Sequence, residues 1–385
     1  MEKFWRLLKR NKEKKFLILD IGTEAIKTLS FKKDSAGRIE ILEKSLEYFD
    51  QYGVFNTRDF EKEFFKKAIL RSLGDLKEKT DCSFIIGLPP NILKARIVCH
   101  FLKRKKDQKL ISARGQEKIV NRVLEKTKEK IFKKWNEEMG LLDRDLEFFS
   151  LKILKYKIDG YEVPQLSGYK GKIIEVKVLV TFLIKDYFKK FEKIFEEIGL
   201  KEKKFFHLAE GLNSYFKKIP DALFLDVGGE TIQFFLVKNN SLEVMGEIPS
   251  AGKFFSEVLS ERLGIKLEEA RFLKERYANE EFSPETANRI KEIFEMPLRF
   301  WFENLKKSLK KYISQNLLFQ NIFIFGGAVQ LPEIKKILRE GNWESFFINN
   351  KPKIEIFLPE ELKGLDDKNT SQYVGCFLLF IASQK

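Results

Sequence analysis

FLILDIGTEAIKTLSF (16–31) and LFLDVGGETIQFFLV (223–237) are two versions of one unit. Each carries an apolar run into Asp, one residue, Gly, a short polar turn and a second apolar run. The runs are too short for helices and are bounded by turn residues, so each unit reads as strand, tight turn, returning strand. Asp20 and Asp226 stand 206 positions apart, one near the start of each half. Duplication of such a unit points to two similar lobes facing a common cleft.

The turns carry the chemistry. Asp at a strand end followed by Gly lets the backbone bend tightly and present amide N–H groups that cradle phosphate oxygens. The carboxylate is then placed to hold Mg²⁺ through water, because Mg²⁺ keeps much of its hydration shell. In the first turn the candidates are Asp20, Gly22 and Thr23. In the second they are Asp226, Gly228, Gly229 and Thr231. A third glycine turn, Gly326-Gly327 in FIFGGAVQLPEI (323–334), precedes a helix, where small residues let a nucleotide lie against the backbone. One Asp-x-Gly turn is more often a plain hairpin. Two of them, followed by F-G-G-A before L-P, favour phosphate.

Outward from these turns the chain alternates strands and helices. After the first unit come a helix over 57–73, the strand SFIIGL (83–88) running into Pro89-Pro90, and ARIVCHFL (95–102). A charged helix over 112–138 leads to strands at 146–158 and 172–183, then a helix over 186–198 stopped by Gly199. The second half repeats the opening pattern, continues in helices through 318, and closes with the strand KIEIFL (353–358) and an apolar helix over 371–382. No low-complexity segment or long Pro/Gly/Ser linker interrupts the chain, so the domains are expected to interleave.

Composition narrows the class. At 385 residues, with 43% hydrophobic and 34% charged side chains, the chain has the balance of a globular protein too long for one small core. The 38 phenylalanines are read as core, in a sequence biased toward Phe and Lys. Cys82, Cys99 and Cys376 are far apart and odd in number, which suggests neither a disulfide framework nor a thiolate zinc site. His100 and His207 have no ligand at metal spacing.

The formal net charge of +15 is concentrated. Residues 1–15 hold seven basic and two acidic side chains, and residues 101–135 hold thirteen and four. A localised basic segment suits an anionic membrane, a nucleic acid or an acidic partner. At about 100° per residue, Phe4, Trp5, Leu7 and Leu8 fall within an arc of roughly 160° opposite Lys3, Arg6, Lys9 and Arg10, the pattern of an interfacial membrane helix. The alternative is a frayed basic leader. The 101–135 segment lacks a nucleic-acid motif and reads as a solvated helix face, so no nucleic-acid partner is expected. Charges interrupt the leader as a signal peptide, and the longest apolar run (373–383) is about half a membrane span.

At this point a resemblance appears. LDIGTEAIKTL is similar to the first phosphate loop of the actin-like ATPases, LDVGGETIQFFLV to the second, and FIFGGAVQLPEI to their adenosine loop. GLPPNILKARIVCH and KIDGYEVPQLSGYKGKIIEVKVLVTFL resemble the segment of bacterial FtsA and PilM that holds their 1C subdomain, of SHS2 type. EIPSAGKFFSEVLSERLGIKLEEARFLKERY resembles the entry to their upper lobe. The resemblance covers nearly everything from Lys15 onward.

It implies an α/β, two-lobed actin-like ATPase fold of duplicated ribonuclease-H-like lobes with an inserted α+β 1C-type subdomain. The implied division is a leader (1–15), lobe 1 core (16–96), inserted subdomain (97–170), lobe 1 continued (171–204), lobe 2 (205–352) and a return to lobe 1 (353–385). The implied cofactors are ATP and Mg²⁺. Asp226 is the candidate catalytic residue, Asp20 and Asp226 the water-mediated metal ligands, and Gly326, Gly327 and Lys274 the adenosine contacts. FtsA proteins link the tubulin-like FtsZ to the cytoplasmic membrane and form actin-like filaments. PilM proteins bind the cytoplasmic peptide of a pilus inner-membrane protein. The FtsA reading, a nucleotide-binding scaffold in cell division, is preferred because DGYEVPQLSGYKG (159–171) fits its pattern; the alternative is a PilM-like role in type IV pilus assembly, toward which IGTEAIK (21–27) leans. The expected location is cytoplasmic, peripheral to the inner face of the cytoplasmic membrane.

The chain departs from the family pattern at Glu230, where a third glycine is usual, at Gln233, where an aspartate is usual, and at Arg271, where a glutamate is usual. A carboxylate at 230 is expected to repel phosphate unless it points away. Nucleotide binding with slow or absent hydrolysis is therefore expected. The sequence ends in VGCFLLFIASQK (374–385), similar to the closing helix of the fold, so the linker and amphipathic tail of FtsA are not expected. Two alternatives within the superfamily are a sugar or acetate kinase, for which no base stands out, and a DnaK-type chaperone, which needs a further substrate domain.

Overall fold

The computed structural model describes residues 14–54, 61–74, 82–105, 108–140, 142–200, 202–215, 221–313, 320–343, 346, 352–363, 365 and 369–384. The proposed leader contacts Phe4, Trp5, Leu7 and Leu8 lie outside them.

The two Asp-x-Gly units open two sheets of the same design. In the first, β1 (Lys14–Ile21) pairs antiparallel with β2 (Ala25–Lys33), which pairs with β3 (Ile39–Tyr48); β4 (Cys82–Gly87) and β9 (Lys203–Phe205) add in parallel on the other side. In the second, β10 (Ala222–Val227), β11 (Thr231–Lys238) and β12 (Ser241–Pro249) make the antiparallel part, and β13 (Asn321–Phe325) and β14 (Lys353–Ile356) the parallel part. Strand order 3-2-1-4-9 is thus repeated as 12-11-10-13-14. Central strands β1 and β10 are covered on both faces, which is why they read as unbroken apolar runs rather than alternating ones.

Helices fill the space around the sheets. The first is flanked by α1 (Lys62–Leu73) and, following the inserted unit, α3 (Lys185–Glu197), whose Phe65, Phe191 and Phe195 are fully buried. Of the helix expected over 57–73, residues 57–60 lie outside the described residues, and α1 starts at Lys62. The second sheet carries α5 (Gly252–Leu263), α6 (Leu267–Ala278), α7 (Pro284–Lys310) and α8 (Pro332–Glu340).

Between the two sheets lie α4 (Leu208–Tyr215) and α9 (Val374–Ser383). A single apolar cluster contains Ile18 and Phe31 from the first sheet, Phe224 and Phe235 from the second, and Phe377 and Phe380 from α9. Phe31 stacks on Phe380 at 4.7 Å between centroids, and Phe224 meets Phe357 edge-on at 5.1 Å. Shared burial of this kind joins the lobes at their base at roughly 25 cal/mol per Å² of apolar surface removed from water. Gly211 permits the contact of α4 with α9, since a Cβ there would strike the Leu378 backbone. The apolar stretch expected as a helix over 371–382 begins instead with a short 3-10 turn, Thr370–Tyr373. Ser371 is used there: its carbonyl accepts from the Gly326 amide at 3.3 Å and its hydroxyl from Gln330 at 2.9 Å.

Between β4 and α3 the chain builds a third unit, a fully antiparallel sheet in the order β5-β8-β6-β7. Its strands are β5 (Leu93–Lys103), β6 (Leu146–Ile158), β7 (Tyr161–Val163) and β8 (Ile173–Ile184). Helix α2 (Ala113–Met139) lies on one face, its start capped by Ser112 Oγ, which accepts from the Gly115 amide at 3.1 Å. Trp135 of α2 packs edge-on against Phe182 at 5.5 Å.

This inserted unit is tied to the second lobe by charge. Glu243 on β12 accepts from Lys155 Nζ at 3.1 Å and from Lys177 Nζ. Burial works against the Glu243 charge, but Lys177 and then Lys155 outweigh it and hold its carboxyl below the usual range. Four residues along β12, Glu247 accepts from Lys94 at 2.8 Å and Arg96 at 3.0 Å.

Most of the described phenylalanines are core, as read from composition: the largest fully buried side chains among the described residues are Trp301 and ten phenylalanines. Phe101, Phe272 and Phe300 are exposed.

Candidate functional site

Asp20 stands one residue before the end of β1 and Asp226 one before the end of β10, so each carboxylate emerges where its sheet meets the cleft. Across the ladders, Asp20 pairs with Lys27 and Asp226 with Gln233. Lys27 Nζ lies 3.8 Å from Asp20 Oδ2, and its attraction reaches Asp226 as well. Burial opposes the Lys27 charge, yet Asp20 and then Asp226 hold its ammonium above the usual range. Burial raises Asp20, with Lys27 acting against it. Burial pushes the Asp226 carboxyl up to about 7, Lys27 opposing and Asp20 adding to the rise. Two carboxylates thus share one ammonium in a buried space. Gln233 supplies no charge, and its buried Oε1 has no hydrogen-bond partner.

Both turns close the same way. The Gly22 amide donates to Ala25 O at 2.9 Å, and the Gly228 amide to Thr231 O at 3.1 Å. The turns meet across the cleft: the Glu230 amide donates to Thr23 Oγ1 at 3.1 Å, and a Cβ on Gly229 would sit 2.7 Å from Glu24 Cγ. The Glu230 carboxylate is directed to Lys253 Nζ at 3.1 Å, so it does not line the cleft, and the repulsion of phosphate expected from its sequence position is met by that ammonium.

At the mouth, α6 faces the end of β3. Lys274 Nζ donates to Gly252 O at 3.2 Å and lies 3.5 Å from Glu24 Oε2 and 3.3 Å from Glu275. Tyr48 OH donates to Glu275 at 2.8 Å. Arg271, where a glutamate was expected, donates to Phe49 O at 2.6 Å and lies over the Tyr52 and Tyr48 rings at 4.9 and 5.6 Å. Burial, with Lys274 opposing, raises the Glu24 carboxyl.

The third turn approaches from the second lobe. Gly326 has φ +102°, and a Cβ there would strike Asp226 Oδ1, so only glycine lets this backbone pass over the carboxylate. Gly327 opens a 3-10 turn ahead of α8, and a Cβ on it would meet nothing within 4 Å.

Asp20, Gly22, Thr23, Asp226, Gly228, Gly229, Thr231, Lys274 and Gly327 therefore line one cleft with an empty volume of about 910 Å³, counting its open mouth; Gly326 lies just behind Asp226. The lining fits a nucleotide with Mg²⁺. It combines hard carboxylate oxygens, the ammonium groups of Lys27 and Lys274, glycine backbone from both lobes and buried acceptors without partners, Glu24 Oε1 and Gln233 Oε1. Among the described residues there is no cluster of three or more metal-ligating side chains, so protein ligation would rest on the two aspartates with water.

Sequence reading missed Lys27, Glu24 and Glu275. Lys27 had a signal: it is a cation two residues into an apolar strand that must be buried, directly opposite the strand-end aspartate. Glu24 and Glu275 had none, because their roles depend on which lobe surfaces meet.

No protein-family model and no curated protein matches this chain. Among solved structures it is similar to a chain of the PilM-PilN type IV pilus biogenesis complex, with a TM-score of 0.64 and 15% identity over 95% of this chain and 96% of that one. It also aligns with ethanolamine utilization protein EutJ from Carboxydothermus hydrogenoformans over 96% of this chain and 89% of that one, at 12% identity and a TM-score of 0.48. MreB5 of Spiroplasma citri bound to ADP aligns over 96% and 95%, at 11% identity and a TM-score of 0.43. Identity this low speaks for the fold alone, and the fold is the two-lobed actin-like one.

Proposed function

We propose that this actin-fold chain binds a nucleoside triphosphate with Mg²⁺ between its lobes, hydrolyses it slowly or not at all, and serves as a scaffold for an assembly at the inner face of the cytoplasmic membrane. The observation that supports the reading is the Asp20–Lys27–Asp226 group, two carboxylates around one ammonium, flanked by glycine turns from both lobes.

Each residue has a part in it. Lys27 faces the phosphates, and the backbone at Gly22, Thr23, Gly228, Gly229 and Thr231 cradles their oxygens. Asp20 and Asp226 hold Mg²⁺ through water. Gly327 and Lys274 flank the nucleoside, and Gly326 carries the backbone past Asp226. When bound, Mg²⁺ would supply positive charge that offsets the carboxylates and the phosphates. Slow turnover is supported by Gln233, which cannot accept a proton, and by Glu230, which is committed to Lys253. Asp226 is the remaining catalytic candidate. Entry requires the Thr23–Glu230 and Glu24–Lys274 contacts to part, which couples nucleotide to lobe opening.

The likeness to PilM spans the inserted unit as well as both lobes. It supports a partner of PilM's kind, the cytoplasmic segment of an inner-membrane assembly protein. The FtsA reading, with an FtsZ-like partner and self-association into filaments, is supported by the stretch 159–171.

Titration with a fluorescent ATP analogue, with and without Mg²⁺, tests the proposal together with a turnover assay. Mg²⁺-dependent binding with little phosphate release is expected. Rapid release, or no binding at millimolar nucleotide, contradicts it. Parallel pulldowns with a pilus inner-membrane peptide and an FtsZ tail separate the two partner readings.

A further inference from the structure

We infer that the free end of the inserted unit, remote from the nucleotide cleft, is a membrane-facing surface for anionic lipid. Several elements finish at this end. The β5 C-terminus, the β8 N-terminus and the β6–β7 turn are brought together by the pairs Lys103–Ile173 and Ile158–Tyr161, with the start of α2 beside them. None of these residues takes part in the cleft described above.

Hydrogen bonds tie the described loops of this end together. Arg104 donates to Gly171 O at 3.0 Å and to Lys109 O at 2.7 Å, fastening two loops to each other. Gln116 of α2 accepts from the Leu166 and Ser167 amides, both at 2.7 Å. The Asp159 carboxylate accepts from the Lys172 and Ile173 amides at 3.1 and 2.7 Å.

On this platform large apolar side chains face solvent. Tyr161 is 79% exposed, Phe101 69% and Leu110 62%, and Ile173 and Tyr169 are exposed beside them. Such a concentration at one end needs an explanation, whereas single exposed apolar residues do not. Around it stand exposed cations: Lys103, Lys105, Lys109, Arg114, Lys170 and Lys172. The nearby carboxylates are largely engaged, Asp159 with the two amides and Glu162 with Lys155 at 3.0 Å; Glu117, a turn further along α2, adjoins the cations.

Charge complementarity selects an anionic surface, and the apolar residues select lipid. Aromatic side chains alone would suit stacked bases. Leu110 and Ile173 gain from hydrocarbon and nothing from stacking, and the end of a sheet offers no groove to track a strand. Aromatic and aliphatic tips among lysines match the headgroup boundary of an anionic bilayer. No described helix is long and apolar enough to cross a membrane, so the contact is interfacial. The inference stands whether or not the cleft holds nucleotide.

The test is sedimentation of the full chain, without nucleotide, with phosphatidylcholine vesicles and with vesicles one-third phosphatidylglycerol. Wild type should bind the anionic vesicles far better, and less well as salt rises. The triple change Lys105→Glu, Lys109→Glu, Lys170→Glu should lower partitioning by roughly two orders of magnitude. Leu110→Ser with Ile173→Ser should lower it by about tenfold. Both variants should keep the wild-type unfolding midpoint and nucleotide titration, so lost lipid binding is not lost fold. Wild-type partitioning by the charge-reversed chain, no preference for anionic vesicles, or tighter binding to a single-stranded oligonucleotide than to vesicles each overturns the inference.

Discussion

Lys27 and Gln233 hold the same rung in the two halves: each sits directly across its antiparallel ladder from a strand-end aspartate, Lys27 from Asp20 and Gln233 from Asp226. The duplicated design is therefore broken at one position. One side keeps an ammonium, the other an uncharged amide, and both aspartates depend on the single charge. A buried carboxylate is held ionised only by a partner that offsets its desolvation, and here the supply falls short by one. A divalent cation or a phosphate-bound cation would make up the difference.

Lys27→Met should therefore act twice. It leaves the Asp20 and Asp226 carboxylates without their ammonium, at a cost of about 3 kcal/mol in the nucleotide-free protein. It should also weaken nucleotide binding at least tenfold. Urea unfolding and a nucleotide titration read the two effects separately. An unchanged unfolding midpoint would mean that Lys27 is not the charge balancing these aspartates.

His207 gives the protein an acid limit. Its ring is buried beside the cleft, its Nδ1 accepts from the Ala209 amide at 3.1 Å, and burial lowers its pKa to about 4; Glu247 acts against that fall, while Arg96 and Lys94 add to it. The unfolded chain takes up a proton near pH 6.5 that the native ring refuses until about pH 4. Stability from this group is fully present above about pH 6.5 and is lost as pH falls toward 4, by about 3 kcal/mol in all. Unfolding free energies of wild type and His207→Gln, measured across that window, should differ in slope, with the variant flatter. Parallel slopes would remove His207 from the account.

Gly229→Ala should hold the lobes apart. The added Cβ would crowd Glu24 Cγ and Thr23 Oγ1, each under 3.0 Å away, at the point where the two turns touch. A loss of about 1–3 kcal/mol is expected, together with a larger scattering radius in the absence of nucleotide. Small-angle scattering that superimposes on wild type would contradict this.

Glu243→Ala should loosen the inserted unit from the second lobe. It strands Lys155 and Lys177, both almost fully buried, although Lys155 keeps Glu162. Breaking a buried pair typically costs ~3–5 kcal/mol, and the remaining partner places this change near the lower figure. Amide exchange should quicken along β8 and β12 more than along β1. Uniform exchange rates in the variant would argue against a local tie.

The two Asp-x-Gly units, the third glycine turn and most elements could be read from the chain because their signals are local: an apolar run, a turn residue, a cap. Asp20, Asp226 and the glycines around them converge on one cleft for that reason. What could not be read depends on how surfaces meet. Glu230 looked hostile to phosphate until its lobe-2 neighbour Lys253 was in view, and Arg271 is explained only by Tyr48, Phe49 and Tyr52 from the other lobe. The short 3-10 turn ahead of α9 follows from Gly326 and Gln330 recruiting Ser371, contacts 40 or more positions away in sequence. Exposed Phe101 could not be distinguished from its buried counterparts by composition.

The most direct test of the central claim is calorimetric titration of ATP into wild type and Asp226→Ala, each with and without Mg²⁺. Wild type should bind with micromolar affinity that needs Mg²⁺, and the variant should lose this binding or weaken it at least a hundredfold, at ~1.4 kcal/mol per factor of ten. Binding of equal strength in both proteins, or none in wild type, would contradict it.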